Sequence, residues 1–147
     1  MDEGKDVAWL RQVIEGDKAA AEAATPGPWA FEGDDPTDDD LYSVHEGEHG
    51  DLVGQTVAFT RDRQVENGEH MARQNPLNVI ADCEAKLAIL AEHAQWGAGG
   101  PCKRCADWST GGVFDIQGVL CLWPCQTVRS LASAYRHREG YADHWGD

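Results

Sequence analysis

With 147 residues, and 26 acids against 12 bases, the chain carries a formal net charge of −14 at neutral pH. That length fits one domain, and that charge works against binding the backbone of DNA or RNA. No run of eighteen apolar residues is present, which argues against a membrane-spanning helix, and the opening MDEGKDVAW is acidic and lacks the apolar core of a secretory signal. A cytoplasmic location is therefore expected, where thiols stay reduced and close cysteine pairs favour a metal over a disulfide.

Residues 4–24 predict an amphipathic helix, because Val7, Leu10 and Ile14 recur at helical spacing and the alanine-rich end propagates it. Thr25-Pro26-Gly27-Pro28 stops it, and Trp29 to Glu32 leaves that corner as a short strand. Gly33 to Asp40 is a polar acidic loop without the spacing of a calcium loop. Leu41–Val44 and Leu52–Phe59 predict two more strands, joined by a turn over His45–Gly50. Glu69–Gln74 reads as one or two helical turns. Asn75-Pro76 is a cap followed by proline at the first helical position. A second helix runs from there to about His93, with Ile80, Cys83, Leu87, Leu90 and Ala94 on its inner face. Gly97 to Pro101 ends it.

The last third carries the chemistry. Cys102-x2-Cys105 and Cys121-x3-Cys125 flank fifteen residues, the layout of a structural zinc site. Four thiolates, or three with one imidazole, fill a tetrahedral shell and leave no open position, so such a site is structural rather than catalytic. His93 stands nine residues before the first pair and can replace Cys121, which lies in an apolar run. Cys83, on a helix face, reads as core. Gly111 to Trp123 alternates as a hairpin does. A third helix is expected over Thr127–His137, with Val128, Leu131, Ala132 and Tyr135 as its stripe, and the aromatic tail Tyr141–Trp145 is expected to pack back.

A second pattern competes with the cysteines. His45-Glu46-Gly47-Glu48-His49 spells H-E-x-x-H, which in zinc hydrolases places two imidazoles on one helix face with the glutamate activating water. The glycines and β-prone flanks here predict an exposed turn instead. No nucleophile elbow, phosphate loop or dinucleotide fingerprint is present. The basic residues (Arg61, Arg63 and Arg73, then Arg129, Arg136 and Arg138) form no dense patch, so nucleic-acid binding is not expected.

The order of several segments resembles a known family. Ala24-Thr25-Pro26-Gly27-Pro28-Trp29 is followed by His70-Met71-Ala72-Arg73-Gln74-Asn75-Pro76 and by Ala85-Lys86-Leu87-Ala88-Ile89-Leu90 with His93. Then come Cys102-x2-Cys105, the run from Pro124-Cys125-Gln126-Thr127 to Leu131-Ala132, and Tyr135, His137, Tyr141 and Trp145. This series is similar to uncharacterised proteins of actinobacteria and their phages that share a domain of unknown function. The first half also resembles phage accessory proteins. The resemblance covers nearly the whole chain and implies His93, Cys102, Cys105 and Cys125 as metal ligands, with Cys121 the alternative. The chain departs from the family pattern at Ser133-Ala134, where Leu-Pro is commoner, and its Thr110–Leu122 stretch is longer.

The expected architecture is a single α+β domain over 1–147. It has an N-terminal helix (1–24), a small antiparallel sheet (29–59), a central helix (69–94), and a zinc knuckle with a C-terminal helix (97–147). One zinc ion per chain is the expected cofactor. The expected role is that of a non-enzymatic accessory protein of phage or prophage origin that binds another protein through its acidic surface, with inhibition of a basic partner as one form of that role. A metal-dependent hydrolase using His45, Glu46 and His49, or a nucleic-acid-binding zinc module, are the alternatives. Nothing in the sequence sets the oligomeric state.

Overall fold

The protein is described by a computed structural model that covers residues 4–32, 43–46, 52–55 and 64–146. It is a mixed fold of helices and short strands, and it divides into two compact units. One takes residues 1–16 and 84–147, the other 17–83. The boundaries fall inside helices α1 (Lys5–Ala23) and α3 (Pro76–Glu92). Among the described residues no helix is long and apolar enough to cross a membrane.

In the unit formed by 17–83, α1 ends at Ala23 and the two prolines turn the chain. Trp29 fixes that corner by donating its Nε1–H to the Thr25 carbonyl at 3.0 Å. Three strands follow: β1 (Trp29–Glu32), β2 (Ser43–Glu46) and β3 (Leu52–Gln55). They pair antiparallel in the order β1-β2-β3, with Trp29 opposite Glu46 and Glu32 opposite Ser43. The β2–β3 register shifts between Val44 and His45. The second strand runs to Glu46, two residues past its expected end, and takes in the first two residues of the expected turn. Leu41 and Tyr42, and the last four residues of the expected third strand, 56–59, lie outside the described residues. So does the acidic loop Gly33–Asp40.

Helix α2 (Gln64–Arg73) begins earlier than expected and presents Gly68 to the Phe31 ring, where a Cβ would collide with the aromatic carbons. Asn75 then starts α3 as read from the sequence. Its Oδ1 accepts from the backbone N–H of Leu77 (3.0 Å) and Asn78 (3.3 Å), while its Nδ2 donates to the Ala72 carbonyl at 3.1 Å. Because the side chain is buried, each of these bonds replaces a water the site excludes. Cys83, expected in the core, is buried here.

In the unit formed by 1–16 and 84–147, Val7, Leu10 and Ile14 of α1 are buried, as their spacing requires. Leu90, Val128, Ala132 and Tyr135 are buried as well. The aromatic tail forms α5 (Tyr141–Trp145) and folds onto α1 within this unit. The His144 ring stacks on Trp9 with centroids 5.5 Å apart, and its Nδ1 lies 3.1 Å from an Asp6 carboxylate oxygen.

Candidate metal centre

The end of α3 and the start of α4 (Gln126–Ser133) bracket the cysteines. His93 extends the last turn of α3, its N–H bonded to the Ile89 carbonyl at 3.0 Å. The chain then turns through Gly97 and Gly99, whose φ angles of 61° and 79° suit glycine, and returns beside itself. The Trp96 N–H donates to Pro101 (2.9 Å) and the Lys103 N–H to Ala94 (2.8 Å), so Cys102 sits opposite Gln95, two residues past the histidine. The knuckle closes when the Ala106 N–H donates to the Cys102 carbonyl at 3.1 Å. Thirty-two residues after His93, Cys125 caps α4, at a helix N-terminus where negative charge is favoured. Trp123 ties the two ends together, donating its Nε1–H to the His93 carbonyl at 3.0 Å.

The result is one cluster. The sulfurs of Cys102, Cys105 and Cys125 lie 3.5, 3.4 and 3.4 Å from His93 Nδ1. All four ligand atoms fall within 4.8 Å of one another, and Cys102 and Cys125 are buried. An imidazole nitrogen has a single proton or a single lone pair, so it cannot serve three thiols by hydrogen bonding. Three soft sulfur donors and one imidazole nitrogen at this spacing are placed to hold a metal ion.

Cys121 is not part of the cluster. It is buried with its Sγ 4.0 Å from the Cys102 carbonyl, and its N–H donates to Val113 at 3.0 Å. None of the five cysteines is in a disulfide. The His45-Glu46 half of the H-E-x-x-H pattern lies on strand β2, so these residues lack the helix that the hydrolase reading needs. His49 lies outside the described residues.

The model of a family of unknown function, DUF6221, matches residues 5–147. The chain belongs to the DUF6221 family. No curated protein and no solved structure matches this DUF6221 chain.

Electrostatics adds a constraint on how this DUF6221 chain takes up an ion. Burial pushes the Cys102 thiol up, and burial with the neighbouring Cys102 and Cys125 sulfurs pushes Cys105 up to about 12. Without metal, these raised values favour the folded chain below the ordinary thiol range near pH 9, and that contribution is lost as the pH rises through them. A bound ion inverts the sign, because ligating sulfurs carry no proton. At neutral pH each of these two thiols must surrender its proton on binding. Acidification is therefore expected to expel the metal, with about two protons taken up by this pair per ion. Following release with a chromogenic chelator between roughly pH 7 and pH 4 checks this.

Proposed function

We propose that the His93, Cys102, Cys105 and Cys125 cluster holds one structural zinc ion, and that the protein is non-enzymatic and acts by binding another protein. The single observation that carries the zinc assignment is the set of three near-equal sulfur–nitrogen distances. Zn–S bonds near 2.3 Å and Zn–N bonds near 2.0–2.1 Å in a tetrahedron put sulfur and nitrogen about 3.5 Å apart. The distances of 3.4–3.5 Å around Nδ1 fit that edge. When bound, zinc would supply a redox-inert cross-link among three points of the chain. With four protein donors, no coordination position remains for substrate or water, which supports a structural rather than a catalytic role.

The protein-binding role rests on the net charge of −14 and on the closed donor set. A surface this acidic attracts cationic proteins and is repelled by nucleic acid, so inhibition of a basic partner is the form this role would take. The resemblance to phage proteins supports a phage or prophage origin, and reduced cysteines support action in the cytoplasm.

Two measurements test this reading. Elemental analysis of protein purified without added metal is expected to give one zinc per chain. Affinity capture under graded salt is expected to recover a basic protein whose retention falls as ionic strength rises. Zinc-free folded protein, or capture of nucleic acid in place of protein, would overturn the respective half.

A further inference from the structure

The stretch between the knuckle and α4 exposes apolar side chains that none of the described residues covers. Ile116 is 86% exposed, Leu122 61% and Val119 59%, and Val113, Phe114 and Leu120 are each about half exposed. These side chains stand on a hydrogen-bonded turn. Asp115 Oδ1 accepts from the N–H of Gln117 and of Val119, both at 2.8 Å. The Asp115 N–H donates to the Val119 carbonyl at 2.7 Å, and Phe114 pairs with Leu120. A turn whose backbone groups are satisfied locally has no need of apolar side chains at its tip. Six of them held in water point to a covering surface.

We infer that this turn is a self-association surface and that its occupant is the same turn of a second copy of the chain. Two observations favour that occupant. Summed over the six side chains, on the order of 600 Å² of apolar area is left in water, below but of the same order as the ~800 Å² that each partner buries in a standard interface. Charge points the same way. Residues 1–83 hold nineteen of the acids and six of the bases, whereas 84–147 hold seven acids and six bases. The turn therefore belongs to the nearly neutral part of the sequence, where like-charge repulsion between copies is weakest. The interface is apolar and isologous, so residue 116 of one copy meets the same surface on the other.

Sedimentation equilibrium on the metal-loaded protein at about 100 µM is expected to give a dimer. Because two chains of charge −14 repel at long range, dimerisation is expected to tighten between roughly 50 and 500 mM salt. Ile116→Asp is expected to weaken it at least tenfold, and Leu122→Glu likewise. Both sites are solvent-exposed, so each variant is expected to keep its metal content and its circular dichroism, which separates a lost interface from a lost fold. A monomer at that concentration overturns the inference and leaves the turn to a partner of different sequence. A dimer unmoved by both substitutions in otherwise intact protein also overturns it.

Discussion

Removing the metal is expected to unfold the region between α3 and α4 and to melt α4 with it. Residues 94–125 contain, as regular structure, only the three-residue 3-10 turn Trp108–Thr110 and isolated bridges. Ordering each residue costs about 1–2 kcal/mol of backbone entropy, which apolar burial must offset. Here the buried residues are Cys102, Ala106, Gly112, Cys121 and Cys125, two of them ligands, while the large apolar side chains of 113–122 face solvent. That core is too small to hold thirty residues in place. Structural zinc contributes on the order of 10–16 kcal/mol at neutral pH, which is enough to decide the balance. Chelation followed by far-ultraviolet circular dichroism should show loss of helix, and a thiol reagent should then titrate Cys102 and Cys125, buried in the intact protein. An unchanged spectrum and melting curve in metal-free protein would contradict this.

Cysteine replacements are expected to split into two classes. Cys102→Ser removes one of the three sulfurs around His93 Nδ1 and leaves an incomplete shell around a buried ion, so metal affinity should fall by at least a hundredfold and the fold with it. His93→Ala should do the same, although a histidine nine residues before the first cysteine is easily passed over as a helix-end residue. Cys121→Ser should retain a full complement of metal. Its cost is that of a hydroxyl in a buried apolar place, about 1–3 kcal/mol, eased by a Cys102 carbonyl 4.0 Å away that can accept from it. Titrating the three variants with a competing zinc indicator separates the classes. Loss of metal from Cys121→Ser, with retention in His93→Ala, would contradict the ligand set.

Signals in the sequence are legible where local chemistry decides. Asn75-Pro76 starts a helix because a side-chain acceptor and a fixed φ act within three residues. The Cys102-x2-Cys105 pair is legible for the same reason. His93 is different, since its approach to Cys125 is made through a return of the chain that no spacing encodes: its place nine residues before the first pair offers it only as a replacement for Cys121, and the family resemblance is what favours it. The expected hairpin over Gly111–Trp123 is present in its shortest form, an antiparallel bridge of Phe114 with Leu120 around Gly118. It goes no further because Asp115 Oδ1 takes the N–H groups of Gln117 and Val119, while Asp107 takes that of Ser109 just upstream. Hydrogen bonds from Ser109 hold the Asp107 carboxyl below its ordinary range, as befits an acceptor locked in that role.

The third helix departs for a similar reason. Its apolar spacing predicts a helix to His137, but it ends at Ser133, whose hydroxyl donates to the Ser130 carbonyl at 2.7 Å. Beyond it Tyr135 bonds back to Ala132 and Arg138 to Tyr135, at 2.9 Å each, so the chain goes on in tighter three-residue turns. The stripe still serves, with Val128, Ala132 and Tyr135 buried. Apolar periodicity assumes that apolar residues face inward, and around Ile116 they do not.

X-ray absorption at the zinc edge, on protein purified without added metal, interrogates the ion's own surroundings. Three sulfurs near 2.3 Å and one nitrogen at about 2.0–2.1 Å are the expected shell. A shell of four sulfurs, a shell containing oxygen, or folded protein with no zinc to absorb would contradict it.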